Sequence, residues 1–180
     1  MIFRLGTVTL RHILDHPPAK KMASALVFLD PITFLLLLPD IAYNFIYRVP
    51  RRANEWLMYW FVSTEGGISW SLGRHFWWFQ NVLWRDDLVD FVQSGKNKQV
   101  MILVSGEDVI TPGKLIFDYL ADDSTRAKAR STDETRLSQS PTKETPWHLL
   151  YYRHLDHAQC LLLPHARQEI VTTCAAFCHP

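Results

Sequence analysis

Residues Val100–Asp108 read V-M-I-L-V-S-G-E-D, an apolar run followed by a glycine turn and two acids. Apolar residues without polar alternation mark a parallel strand covered by helices on both faces, because neither row of its side chains meets water. Two more runs share this character, Ala25–Leu29 and Leu149–Tyr152. Helical patterns surround them. Thr7–Asp15 follows Gly6, spaces Val8, Leu10, Ile13 and Leu14 along one face, and stops at Pro17 and Pro18. Lys114–Leu120 opens after Pro112 and Gly113, and Gln159–Phe177 is a longer apolar-bearing run broken early by Pro164. Strands alternating with helices in this order predict an α/β fold with a parallel sheet and right-handed crossovers.

A length of 180 residues fits one domain and little more. The 19 basic and 18 acidic side chains leave a net charge of +1, without the basic excess that binding to phosphates requires, so no nucleic-acid partner is expected. Hydrophobic residues at 48% and charged residues at 21% exclude wholesale disorder and supply a core. Cys160, Cys174 and Cys178 are too few, and odd in number, for a disulfide framework, which favours a reducing, intracellular setting. Met1–Gly6 lacks the pattern of a secretory leader. The most apolar window, Ala25–Leu38, is interrupted by Asp30 and Pro31 and closed by Pro39 and Asp40. It falls short of the roughly 20 apolar residues of a membrane span.

Two stretches differ from this frame. Residues 43–92 are dense in aromatics, with Trp56, Tyr59, Trp60, Phe61, Trp70, Phe76, Trp77, Trp78, Phe79 and Trp84. The Trp56 to Trp60 and Phe76 to Phe79 spacings suit helix faces and predict a helical cap on the sheet, with core aromatics of ordinary crossover helices as the alternative. Lys and Arg are sparse among these rings, so they do not read as a platform for stacked bases. Arg48, Arg51 and Arg52 form a small basic cluster, either a solvated face or a contact for anionic lipid. Residues 122–146 are rich in Ser, Thr and charge and contain one Leu, which predicts a disordered surface insertion.

In an open parallel sheet, working side chains gather beyond the carboxyl ends of the strands. Asp108 lies just past one such end, where it is equally suited to turning the chain ahead of the helix near Pro112. His157, in R-H-L-D-H-A-Q, holds the matching place after the next strand. A carboxylate bonded to an imidazole fixes its tautomer and stabilises the imidazolium, the orienting half of a Ser-His-Asp triad. His154 and His165 compete for this role. Asp30 reads as a turn residue with Pro31, although an acid after the first strand is an alternative partner. His165, Cys174, Cys178 and His179 lack the second spaced pair of a metal site, and packing on a helix face is the better reading. These residue types call for neither a cofactor nor a metal.

The order of elements resembles the C-terminal half of an α/β-hydrolase, and L-V-F-L-D-P-I-T-F-L-L-L-L-P-D-I-A-Y-N-F-I-Y-R at 26–48 resembles a fungal-type branch of that superfamily. The likeness covers nearly the whole chain outside the polar insertion. It implies a carboxylic-ester hydrolase or lipase in which a serine attacks an acyl carbonyl, His157 acts as general base and then acid, and Asp108 orients the imidazole. An apolar acyl ester is the implied substrate. Such proteins carry their serine in G-x-S-x-G on a sharp strand-to-helix turn. Here M-I-F-R-L-G-T lies at that place, with Gly6 matching the last glycine and Arg4 in the position of the serine. A guanidinium stays protonated and is no nucleophile.

The near-miss G-I-S-W-S-L-G, with Gly67, Ser69 and Ser71, lacks one glycine and a preceding strand. Cys160 is three residues beyond His157, on the base's own segment, and reads as packing. The resemblance further implies upstream strands and an oxyanion donor that this sequence does not contain, Leu5 N–H being the other donor. Little or no turnover is therefore expected of the chain as it stands. The alternatives are a non-catalytic binding or interaction protein and a truncated gene product. An open edge at Ala25–Leu29 is also expected to promote self-association.

Overall fold

The computed structural model of the chain describes residues 7–178. Its sheet has four strands, β1 (Ala25–Leu29), β2 (Gln99–Ser105), β3 (Arg136–Gln139) and β4 (His148–Tyr152), in the order β1-β2-β4-β3. The first pair aligns Leu26 with Val100, and β2 aligns with β4 so that Ser105 lies opposite Tyr152. These three strands are parallel, and β3 joins β4 antiparallel. The helices are α1 (Thr7–Asp15), α2 (Pro17–Met22), α3 (Pro39–Ala42), α4 (Ala53–Met58), α5 (Gly66–Arg74), α6 (Arg85–Gln93), α7 (Gly113–Leu120), α8 (Asp123–Ser131) and α9 (Pro164–Cys178). The fold is α/β, as the apolar runs predict. Among the described residues no helix is long and apolar enough to cross a membrane.

Side chains alternate between two cores, which explains the unbroken hydrophobic runs. Leu26, Phe28, Val100, Ile102, Val104, Leu149 and Tyr151 meet residues of α1, α6 and α7 on one face. Val27, Met101, Leu103, Leu150 and Tyr152 meet Cys160 and the Ala166 and Ile170 positions of α9 on the other. Each large side chain buried in this way contributes roughly 1.5–3 kcal/mol of transfer free energy. Phe117 stacks on Tyr151 with ring centroids 4.3 Å apart. Among the described residues β1 pairs on one side only, at an edge of the sheet.

The aromatic segment is helical but shorter than expected. Between residues 43 and 84 it holds α4 and the nine-residue α5, with π-helical stretches at Tyr43–Tyr47 and Tyr59–Ser63. The expected cap of 43–92 runs too far, because α6 is a crossover helix whose Leu88 and Phe91 are fully buried in the first core. Asp87 accepts the Trp84 N–H at 2.8 Å and starts that helix, while Arg11 of α1 donates to the same oxygen at 2.8 Å. In the rest of the segment Phe45, Phe76 and Trp78 pack against a third core of Leu36, Ile41, Val82, Val109 and Ile110, whereas Trp60, Trp70, Trp77 and Phe79 are exposed. Trp56 and Trp60 stack with centroids 6.4 Å apart.

The polar insertion at 122–146 is a correction: it folds into α8 and β3. Asp122 caps α8 by accepting the Thr125 N–H at 2.7 Å. Gln139 is buried because its amide is satisfied at both ends, accepting from Asp122 N–H at 2.8 Å and donating to Thr145 Oγ1 at 2.9 Å. The lone Leu137 enters the first core, and fully buried Trp147 follows the insertion. Trp147 Nε1 donates to the Leu120 carbonyl at 3.2 Å. A polar segment orders when its polar groups bond to each other and to the backbone.

The segments leaving β2 and β4 run together beyond the sheet. Gly106 N–H donates to Tyr152 O at 2.8 Å and Glu107 N–H to Leu155 O at 3.0 Å. A Cβ on Gly106 would lie 2.3 Å from the Arg153 carbonyl oxygen, so the approach requires glycine. Replacement Gly106→Ala is expected to lower stability by about 1–3 kcal/mol, the usual cost of overpacking. For a chain of this length that lowers Tm by about 2–4 °C per kcal/mol. Urea and thermal unfolding measure the effect, and unchanged midpoints would contradict so close a backbone contact.

Candidate active site

Asp108 emerges from β2 through the glycine turn, and its two carboxylate oxygens face different partners. Its Oδ1 accepts the Ile110 N–H at 2.7 Å and the Thr111 N–H at 3.1 Å, turning the chain toward α7. Its Oδ2 is 2.8 Å from His157 Nδ1. The Asp108 side chain is 1% exposed and that of His157 30% exposed, so the carboxylate is shielded while the imidazole reaches the surface. An ionised carboxylate only accepts hydrogen bonds, so the shared proton resides on Nδ1, leaving Nε2 of the neutral ring as an acceptor.

The histidine is held by its own backbone. His157 N–H donates to Asp156 Oδ1 at 2.7 Å, and the same oxygen receives Val109 N–H at 3.2 Å from the Asp108 turn. The next residue, Ala158, has φ +59°, in the left-handed region. For a residue with a Cβ this conformation costs about 1–2 kcal/mol.

Asp30 completes the cluster, and sequence reasoning understated it as turn chemistry with Pro31. It has φ +45° and directly follows β1. Its Oδ1 accepts Ser105 N–H at 2.7 Å, and its Oδ2 accepts Ala158 N–H at 2.8 Å. Cys160, buried in the second core as its packing role predicts, has Sγ 4.0 Å from Asp30 Oδ2. Burial, reinforced by repulsion from Asp108, pushes the Asp30 carboxyl up to about 6 against the opposing pull of His157 and its hydrogen bonds. For His157, burial opposes the charged form, but the hydrogen bond and charge of Asp108, helped by Asp30 and Asp156, raise it above the ordinary histidine value.

Among the described residues, donor atoms of Asp30, Asp108 and His157 lie within 4.8 Å of one another. All four carboxylate oxygens accept hydrogen bonds from the chain. Among the described residues, His165 and Cys174 belong to no cluster of three possible ligands. Cys174 packs against the second core, and the His165 ring lies 6.2 Å from that of Tyr152. The side chain of Cys178 and all of His179 fall outside the described residues. His154, the other competitor, pairs with Glu107 at 3.3 Å on the rim.

An open groove of about 650 Å³ adjoins the imidazole, lined by Arg52, Glu107, His154, Gln159, Leu161 and Leu162. It combines charged edges with two leucines. In the basic cluster flanking it Arg51 and Arg52 are exposed, while Arg48 donates to Val109 O at 3.1 Å and to Glu55 Oε1 at 2.8 Å. Arg52 approaches Asp156 at 4.0 Å, linking the aromatic segment to the site. Arg4, Leu5 and Gly6, read as the nucleophile turn, lie outside the described residues. Gly67, Ser69 and Ser71 lie within helix α5, without the strand and sharp turn that expose a nucleophile. No protein-family model, curated protein or solved structure matches the chain.

The raised His157 value carries a defined sign. Its contribution to stability is fully present below about pH 6.5 and is lost as pH rises through the higher folded value. Substitution Asp108→Asn preserves an acceptor for the turn but removes the charge. It is expected to move the His157 titration, followed by NMR, to lower pH and to weaken the loss of stability above pH 6.5. An unchanged His157 titration would contradict the bond.

Proposed function

We propose that this chain carries the acid–base part of a carboxylic-ester hydrolase site of the α/β-hydrolase type. The observation supporting it most directly is the 2.8 Å contact between Asp108 and His157 at the ends of adjacent parallel strands. In this reading His157 Nε2 removes a proton from an attacking hydroxyl and later returns it to the departing alkoxide. Asp108 holds the ring and stabilises its positive charge during the exchange. The leucine-lined groove and the exposed aromatic segment suit an apolar acyl chain. The serine of the resemblance is not in the sequence, since Arg4 stands in its place. Loss of the nucleophile alone costs about 10⁶ in rate.

The chain is therefore expected to hydrolyse p-nitrophenyl butyrate no faster than the buffer does, and turnover that disappears in His157→Ala would overturn the inactive assignment. The hydrolase reading has a positive test in Arg4→Ser. This variant is expected to react covalently with a fluorophosphonate, and the reaction should vanish when His157→Ala is added. A folded Arg4→Ser chain that resists labelling would contradict the proposed alignment of nucleophile and base.

A further inference from the structure

We propose that Asp30 is a positioning residue of this site, fixing the His157 turn through Ala158 and placing a second negative charge beside the imidazole. The inference deepens the hydrolase reading and relies on it for the reaction, but its test reads the histidine itself. Asp30 is 4% exposed, and its two oxygens tie together segments that follow different strands. Ser105 is the last residue of β2, while Ala158 follows His157 in the turn beyond β4. Two left-handed residues, Asp30 and Ala158, are thus joined by one 2.8 Å hydrogen bond. Such conformations persist where the surroundings determine them. An amide would satisfy only one of the two N–H groups as an acceptor and would carry no charge.

The electrostatic role follows from the same placement. Asp30, Asp108 and His157 have donor atoms within 4.8 Å, so the imidazolium faces two carboxylates rather than one. Asp156 holds the His157 N–H, with Arg52 beside it, and the Cys160 thiol approaches Asp30. Glu107 and His154 pair with each other on the groove rim. Burial and the Asp108 charge raise the Asp30 carboxyl toward the range in which the imidazole titrates, so the two groups are coupled. The two carboxylates consequently have separate tasks: Asp108 bonds the ring, and Asp30 bonds the backbone that carries the ring.

NMR of the full chain separates these roles. In Asp30→Asn the His157 titration is expected to move to lower pH while the Asp108 bond persists. In Asp30→Ala the Ala158 amide should exchange with solvent roughly 10- to 100-fold faster, the range expected for losing a hydrogen bond to a charged acceptor. A merely structural brace would alter amide exchange without shifting the histidine. An unchanged titration in folded Asp30→Asn, or unchanged Ala158 exchange in folded Asp30→Ala, overturns the proposal. Should either variant fail to fold, the ¹³C-labelled wild-type chain supplies the test. Its Asp30 carboxyl and His157 ring should show coupled titration steps, whereas independent single-step curves overturn the proposal. Fluorophosphonate labelling of Arg4→Ser tests the hydrolase reading separately from every one of these outcomes.

Discussion

The pairing of Ser105 with Tyr152 in the β2–β4 register determines where two chain segments leave the sheet. Because the strands are parallel, both segments emerge at the same edge, and backbone bonds from Gly106 and Glu107 hold them side by side. A one-residue slip would exchange the side chains that face the two cores, which are filled by different partners. The two cores therefore fix the register, and the register brings the Asp108 and His157 segments together. The arrangement at the site depends on hydrophobic packing several residues away. Gly106 belongs to this mechanism because its missing side chain permits the segments to approach.

Burial then gives the polar groups their character. The shielded Asp108 carboxylate favours a charged imidazole, whereas Asp30 bears the opposing cost of desolvation beside a second acid. The Asp30 linkage has the opposite sign to that of an ordinary paired carboxylate. Its folded value lies near 6 and its ordinary value at 3.8, so its contribution to stability declines as pH rises between them. Retaining a group that costs stability at neutral pH fits a cluster organised around the protonation of its histidine, in keeping with the proposed acid–base role. The buried Glu55 shows the contrasting case. Burial opposes its ionisation, but backbone N–H groups of Arg51 and Arg52 and the charge of Arg48 keep it below the usual range.

Much of the sheet was legible because a strand covered on both faces needs apolar side chains at every position. Ala25–Leu29 agrees with β1, and Val100–Val104 lies within β2. The proximity of Asp108 and His157 was legible from their places beyond neighbouring strands. Asp30 was harder to read because its partners Ser105 and Ala158 are 75 and 128 positions away. Its Asp-Pro sequence indicates a turn without revealing them. In the polar insertion, composition obscured the hydrogen bonds that bury Gln139 and the single leucine that reaches the core. The end of the aromatic segment had a local signal in Asp86 and Asp87, the acidic start of α6, but ring density obscured that boundary.

Asp108 is expected to hold a proton on His157 Nδ1, and the tautomer of the neutral ring reports where that proton sits. Two-dimensional ¹H–¹⁵N NMR of the histidine rings, recorded above the His157 titration, distinguishes the protonated nitrogen from the bare one. The expected result is a proton on Nδ1 and none on Nε2. A neutral His157 ring protonated at Nε2, with Nδ1 bare, would contradict the claim.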